Sequence, residues 1–527
     1  MEKKACVLII LDGWGIGHKD DANAIYRAST PTIDYIKKNY PSATLQSAGI
    51  AVGLPWDEPG NSEVGHLTLG SGRIIYQHYP RISLSIRNGD FFKNKELNEA
   101  FNHSLNNSSN VHILGLLSSG NVHSSYEHLQ ALIKLAATKK CSNVFFHLFT
   151  DGKDSAPQSA KSMVEKLQND LKKFDVGKLA SLTGRYYALD RRKNWTVTKK
   201  YYDLIVKGEG RKASDPLKLL DDYYAKNITD PYIEPTLIFN PEKSESAHLI
   251  KDNDSLIFLD FREDSIKQIV APFATKDFKD FERTPLNNIR VTTMTNYDET
   301  FNANVAFPPE KVNNGLSEIL SNLGMPQLKI AETEKFYHLT YFFNCLSDKV
   351  FSNEFRVLIP SKETPHLDDS PEMRAPEITD RLITALNENI YNFIAVNYAN
   401  PDTMGHTGNF NATVKSIEIV DQQLKKVLEA AKKVNAEIII TADHGNAERL
   451  YDPRTGEKET CHNPNPVPFY LVSEKYKLKQ EKGEEQIVNE ESRTLGVICD
   501  VAPTILELME IPPPPEMKGK SLLQYLK

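Results

Sequence analysis

Carboxylates and imidazoles recur in this chain at spacings suited to holding a divalent cation. Asp402 and His406 stand four residues apart, so one helical turn aims both at the same point. Asp443 and His444 are adjacent and diverge on a regular helix or strand, but a turn leaving a strand can aim both inward, potentially at two neighbouring ions. His462 sits in Cys461-His462-Asn463-Pro464, and Asp12 follows an apolar run. Oxygen and imidazole donors without thiolate favour Mn²⁺ or Mg²⁺, with Zn²⁺ or Co²⁺ as alternatives, over a structural zinc site.

Ser62 is the candidate nucleophile. It lies in Gly60-Asn61-Ser62-Glu63-Val64-Gly65-His66, where glycines let the backbone turn sharply and approach a ligand. A serine hydroxyl needs a base or a metal to become reactive near neutrality. No Ser-His-Asp triad is evident locally, and a divalent ion beside Ser62 makes one unnecessary. A capped surface turn is the plain alternative. A third set suits anions. Arg185 and Arg191 share the segment 184–193, and guanidinium forks match phosphate and carboxylate oxygens. His123 and Asp154 leave other predicted strands toward the same side, and Arg262 and Lys335 are candidates to join them. A solvated charged face is the competing explanation.

These residues need a scaffold, and the apolar pattern supplies one. Short runs at Val7–Leu11, Val111–Leu117, Val144–Phe149, Leu256–Leu259, Phe393–Val396 and Ile438–Ile440 read as strands. Between them, Met163, Val164, Leu167, Leu171 and Phe174 follow a helical period, as do Val414, Ile417, Leu424, Val427 and Leu428. Strands alternating with helices predict an α/β fold with mostly parallel sheets, whose ligands bind beyond the carboxyl ends of the strands. Five predicted strands run out into Asp12, Thr150 to Asp154, Asp260 to Arg262, Asn397 to Asp402 and Thr441 to His444. Polar turns alone explain so many charged exits poorly.

Length and composition bound the rest. A chain of 527 residues exceeds a single hydrophobic core, so two or more domains are expected. The 63 Lys+Arg against 70 Asp+Glu leave a net charge of −7, which speaks against a nucleic-acid binder. The cysteines, Cys6, Cys141, Cys345, Cys461 and Cys499, are odd in number and scattered, which fits a reducing compartment. The start Met1-Glu2-Lys3-Lys4 and its apolar run lead into Asp12-Gly13-Trp14-Gly15 rather than a cleavage site, and no stretch is long enough to span a membrane. A soluble cytoplasmic protein is expected. Phe307-Pro308-Pro309-Glu310 reads as a linker, with a matching crossover near Gln77 to Pro80, which gives one domain made from both chain ends and one inserted in it. Pro512 to Pro515 reads as a rigid turn.

Taken together, these motifs resemble the cofactor-independent (2,3-bisphosphoglycerate-independent) phosphoglycerate mutases of the alkaline phosphatase superfamily. The likeness runs through Leu11 to Gly15, Gly60 to Gly70, Thr150 to Asp154, Arg185 to Trp195, Ala331 to Lys335, Asn397 to Gly408, Thr441 to Asn446, Asp500 to Thr504 and Gly519 to Leu522. The resemblance implies two α/β domains. An alkaline-phosphatase-like, mostly parallel sheet sandwiched by helices would comprise 1–77 and 309–527, and an inserted transferase domain 78–308. It further implies Asp402, His406 and His462 on one Mn²⁺ and Asp12, Ser62, Asp443 and His444 on the other. Ser62 would carry the phosphoryl group, with Lys335 assisting. His123, Asp154, Arg185, Arg191 and Arg262 would hold the glycerate while it reorients, and domain closure would exclude water. The implied reaction is the glycolytic interconversion of 3-phosphoglycerate and 2-phosphoglycerate, by a monomer that needs no bisphosphoglycerate.

Two positions depart from the family pattern. Ser265 replaces a usual second arginine after Arg262, which predicts weaker glycerate retention and some leak to hydrolysis; Lys267 is nearby as a monodentate substitute. Asn344-Cys345-Leu346 replaces a common Asn-Gly-Gly. A metal-dependent phosphatase, or a phosphomutase acting on a pentose phosphate, is the nearest rival reading; a catalytically dead scaffold is a more distant one.

Overall fold

The computed structural model describes residues 5–239 and 248–526, so Met1 to Lys4 of the expected start lie outside the described residues. Apolar runs without polar alternation become strands buried on both faces. The strands before the insertion are β1 (Cys6–Leu11) and β2 (Ser42–Gln46). Within it lie β3 (Val111–Leu117), β4 (Val144–Thr150), β5 (Lys178–Gly184), β6 (Arg211–Ala213), β7 (Thr236–Ile238), β8 (Ser255–Phe258), β9 (Arg290–Thr293) and β10 (Asn304–Val305). After it come β11 (Gln327–Glu332), β12 (Glu354–Ile359), β13 (Phe393–Tyr398), β14 (Glu437–Thr441), β15 (Val467–Val472) and β16 (Thr494–Val497).

The chain forms two compact units, one from both ends, up to Gln77 and from Glu310, and the other from His78–Pro309. The second crossover therefore follows Pro309, one residue beyond the expected 308. In the first unit the strand order is β12-β11-β13-β1-β14-β15-β2-β16. β1 lies centrally, parallel to β13 and β14, whereas β15 runs antiparallel to both β14 and β2. Every residue of β1 is buried. Each such Ile, Leu or Val contributes roughly 1.5–3 kcal/mol. The helix Phe410–Lys433 begins where the Asn409 side chain accepts from Ala412 N–H at 3.2 Å, and it buries Ile417, Val420, Leu424 and Val427 in the same core. In the second unit the order is β10-β9-β8-β3-β4-β5-β7-β6, parallel except where β5 meets β7.

A buried polar chain crosses neighbouring strands of the second unit, from the start of β8 to the middle of β5. Asp254 pairs with His112 Nε2 at 3.1 Å, His112 Nδ1 lies 2.9 Å from His147 Nε2, and His147 Nδ1 lies 2.9 Å from Ser181 Oγ. Burial, with the neighbouring His112 and His248, holds His147 well below its ordinary value.

The Asn344-Cys345-Leu346 segment adopts a backbone that suits glycine, and nothing in the structure explains the residues that replace it. Cys345 and Leu346 both take left-handed backbone, with φ of 61° and 62°. Side-chain-bearing residues tolerate this conformation poorly, and glycine would occupy it without penalty. The turn is held by Asn344, which donates to both Glu354 carboxylate oxygens at 3.1 Å and accepts from the buried Lys329 ammonium.

Candidate functional site

In the first unit, the carboxyl ends of β1, β13 and β14 deliver Asp12, Asp402 and the Asp443-His444 pair. Asp402 and His406 occupy one turn of the helix Asn400–Thr407. Asp402, His406 and His462 place one donor atom each within 4.8 Å of one another, and Asp12, Asp443 and His444 do the same. Asp443 and His444 thus converge on one group rather than serving two. Ser62 opens the helix Ser62–Ser71, where Asn61 caps the end by accepting from Val64 N–H at 2.9 Å. The flanking glycines act differently from expectation: neither takes left-handed backbone, and their value is space. A Cβ on Gly60 would lie 2.3 Å from the Ser47 carbonyl oxygen, and one on Gly65 would lie 2.7 Å from Asp443 Cβ.

The Ser62 hydroxyl is surrounded. Lys335 Nζ donates to its Oγ at 2.7 Å, while His444 Nε2 lies 3.0 Å away and Asp12 Oδ1 3.3 Å away. Lys335 also meets Asp12 and Asp402, each at 2.6 Å. Burial opposes its charge, but Asp12, Asp402 and Asp443 outweigh burial and raise its pKa. Likewise burial alone would raise Asp402, yet the Lys335 charge holds it well below the carboxylate range. A cavity of about 760 Å³, lined in part by Ser62, Lys335, Asp402, His406 and His462, gives access to the group.

These donors fit divalent cations. The Nδ1 atoms of His406, His462 and His444 face the carbonyls of Thr460 (2.7 Å), Gly60 (2.9 Å) and Gly445 (3.3 Å). Donation from Nδ1–H to those carbonyls fixes the tautomer that leaves each Nε2 lone pair turned into the site, the usual arrangement of metal-ligating histidines. His406 Nε2 and His462 Nε2 then oppose each other at 3.0 Å, lone pair to lone pair, with Asp402 Oδ1 3.2 and 3.3 Å away. Asp443 Oδ2 is buried without a hydrogen bond of good geometry. Three buried carboxylates face one ammonium, so the site carries a net negative charge that favours bound cations.

The second unit brings its expected residues together in two groups. His123 Nδ1 lies 2.5 Å from Asp154 Oδ2, and Arg185 pairs with Asp154 at 3.1 Å and with Asp151. Burial raises Asp154, but the His123 bond and the Arg185 charge lower it further. Arg191 and Arg262 instead share Asp264, at 2.8 and 3.0 Å, and remain largely exposed. The groups are linked through the backbone, where Phe261 N–H donates to the His123 carbonyl at 2.8 Å. Ser265, on the helix Glu263–Ala274, is buried with its hydroxyl unpartnered.

Sequence reasoning missed the residues that act through others. His66, one helical turn after Ser62, places Nδ1 2.9 Å from the Ser62 carbonyl and 3.2 Å from Asp443 Oδ2. Asn397 donates to His66 Nε2 at 3.0 Å and to Asp12 Oδ2 at 2.7 Å. Asp151 and Asp264 organise the arginines. Asp151 and Asp264 lie within two or three residues of Asp154 and Arg262, but their bonds to Arg185 and Arg191, like those of Asn397 to His66 and Asp12, join separate segments.

Residues 4–513 match the Metalloenzyme superfamily. The chain is 43% identical to a 2,3-bisphosphoglycerate-independent phosphoglycerate mutase of Clostridium botulinum (strain ATCC 19397 / Type A), covering 99% of this chain and 100% of the relative. It is 43% identical to 2,3-bisphosphoglycerate-independent phosphoglycerate mutase 1 of Methanosarcina barkeri, covering 99% and 98%. Among solved structures, a Leishmania mexicana phosphoglycerate mutase at low cobalt concentration is 27% identical, with a TM-score of 0.53 and coverage of 99% of this chain and 98% of that one.

Proposed function

Because the chain belongs to the Metalloenzyme superfamily and, within it, to the 2,3-bisphosphoglycerate-independent phosphoglycerate mutases, we propose that it interconverts 3-phosphoglycerate and 2-phosphoglycerate through a phosphoserine on Ser62. The observation that carries this reading is the Ser62 hydroxyl, 2.7 Å from Lys335 Nζ and 3.0 Å from His444 Nε2, beside two groups of cation donors. Asp402, His406 and His462 would hold one divalent cation and Asp12, Ser62, Asp443 and His444 the other. The oxygen and imidazole donors favour Mn²⁺, with Mg²⁺ or Co²⁺ as substitutes. When bound, the cations lower the pKa of the hydroxyl and draw off charge from the phosphoryl oxygens.

The residues of the chain do the rest. Lys335 keeps its proton and, by donating to Ser62 Oγ, favours the ionised oxygen that attacks phosphorus in line. The P–O bond to glycerate breaks, its electron pair goes to the glycerate oxygen, and phosphoserine forms. His123, Asp154, Arg185, Arg191 and Arg262 are the residues we assign to retaining the glycerate. The released glycerate oxygen takes up a proton equivalent to the one Ser62 gave up; the other hydroxyl is then presented and loses its proton as it attacks phosphorus, and the bond from phosphorus to Ser62 Oγ breaks with its electron pair staying on Oγ. Without retention, water takes the phosphoryl group and the site is a phosphatase. The domain roles follow: the unit of both chain ends performs the transfer and the inserted unit holds substrate. The same reading makes the enzyme a cytoplasmic monomer that needs no bisphosphoglycerate.

The test follows 2-phosphoglycerate formed from 3-phosphoglycerate with Mn²⁺ and no bisphosphoglycerate, in wild type and Ser62→Ala. Conversion is expected in the first and none above background in the second. Release of inorganic phosphate without 2-phosphoglycerate would replace the mutase reading with the phosphatase one.

A further inference from the structure

Outside the cation donors and the substrate residues, one buried acid bonds three of the loops that carry cation donors. Glu448 is 2% exposed. Its Oε2 accepts from Gly15 N–H at 3.0 Å, in the loop after Asp12, and from Asn446 N–H at 2.9 Å, in the loop after Asp443 and His444. Its Oε1 accepts from Asn465 Nδ2 at 3.1 Å, in the loop after His462. The Asp12 loop, 433 residues away in sequence, thus ends with the Asn446 and Asn465 loops on two oxygens of one side chain. The surrounding backbone is built to admit it: a Cβ on Gly15 would lie 2.2 Å from the Glu448 carboxyl carbon, and a Cβ on Gly445 would lie 2.3 Å from Oε1. No real Cβ tolerates such distances, so these loops can carry no side chain there while the carboxylate stays. Secondary bonds close the arrangement, with Asn446 N–H donating to the Gly13 carbonyl at 3.0 Å and Asn463 N–H to the Gly445 carbonyl at 3.2 Å.

We propose that Glu448 is a positioning residue that ties the Asp12, Asp443-His444 and His462 loops together and thereby sets the separation of the donors around Ser62. It touches no donor atom of either group and no residue assigned to substrate. This rests on the two-cation phosphotransfer reading above. Because Gly15 and Asn446 flank the Asp12, Asp443 and His444 group, losing Glu448 leaves the buried Gly15 N–H without an acceptor, reduces Asn446 N–H to its bond with the Gly13 carbonyl, and frees those loops to drift apart. Cation affinity and kcat should fall together, while the KM for 3-phosphoglycerate should hold.

The experiment titrates Mn²⁺ by calorimetry into full-length wild type, Glu448→Ala, Glu448→Gln, Glu448→Asp and Gly15→Ala, with far-UV circular dichroism and mutase kinetics on each. Glu448→Ala is expected to bind Mn²⁺ at least tenfold more weakly and to lose at least tenfold in kcat, with KM within twofold of wild type. Gly15→Ala, which leaves Glu448 in the chain but takes its space, should behave the same way. In Glu448→Gln one amide oxygen still accepts both backbone N–H groups, and Asn465 can turn its own amide over, so affinity should stay within about threefold. Glu448→Asp, one methylene too short to reach three loops, should resemble Glu448→Ala. If Glu448→Ala is unfolded, the Gln and Asp variants decide. Equal Mn²⁺ affinity in those two, or wild-type affinity in a folded Glu448→Ala, overturns the proposal. A wild type that binds no Mn²⁺, or binds it without mutase activity, overturns the underlying two-cation reading instead.

Discussion

Lys335→Met removes the ammonium from a site where three carboxylates, Asp12, Asp402 and Asp443, are buried. Among the described residues no other lysine or arginine pairs with them. Breaking a buried ion pair from one side costs about 3–5 kcal/mol, because the abandoned charge stays out of water. The unit concerned has about 300 residues, so its unfolding entropy is about 0.6 kcal/mol/K and the metal-free variant should melt ~5–8 °C below wild type. Mn²⁺ supplies positive charge to the same carboxylates, so its addition should raise the variant's melting temperature by more than it raises that of wild type. Activity should not recover with it, because the lost ammonium also donated to Ser62 Oγ at 2.7 Å. Loss of one donor aimed at developing charge typically costs ~10²–10³ in kcat. Thermal unfolding with and without Mn²⁺, paired with mutase kinetics, measures both effects. An unchanged melting temperature in the metal-free variant, or a kcat within a few-fold of wild type, would refute this account of Lys335.

Three further outcomes are expected. Burial pushes His128 down to about 3 in the folded second unit; since an unfolded histidine titrates near ~6.5, the stability it preserves is present above that pH and lost as pH falls through it, costing about 2.7 kcal/mol at pH ~4.5. His147 shifts in the same direction, and urea unfolding at the two pH values should show a smaller drop in His128→Gln than in wild type, with identical drops counting against the assignment. Chelation should abolish mutase activity and Mn²⁺ should restore it; activity that survives exhaustive chelation would remove the cations from the reaction. Wild type should leak measurable inorganic phosphate from 3-phosphoglycerate because Ser265 offers no guanidinium, and Ser265→Arg should reduce the leak; no leak, with no gain in affinity in the variant, would dispose of that idea.

The sequence displayed the parts of this molecule that obey short-range rules. The unbroken apolar run Val7–Leu11, and Val144–Phe149 with His147 as its one interruption, were legible as strands covered on both faces, with the polar residues just beyond them emerging at the carboxyl edge of a sheet. Asp402 and His406 were legible as a pair because a helix brings residues four apart to one side. What the sequence hid is set by pairings hundreds of residues long. His444 lies 382 positions from the serine it approaches, and Lys335 lies 273 away. The bond of Asp264 to Arg191, 73 positions away, was hidden too, as was the antiparallel direction of β15, since strand composition does not encode direction. The glycines around Ser62 were visible, but their purpose, room for Ser47 and Asp443, is a property of neighbours that only the folded chain supplies.

The central position of β1 carries a consequence for synthesis. Its first residue described as strand, Cys6, is bonded in register with Phe393 on one side and Glu437 on the other. At translation rates of ~5–20 residues per second, on the order of 20–80 s pass between emergence of this hexapeptide from the ribosome and arrival of its first partner. Throughout that interval the inserted unit has all its own strands available and can complete itself, while six consecutive apolar residues of a nascent chain wait unpaired. Yield in a heterologous host should therefore depend on holdase chaperones engaging this apolar segment.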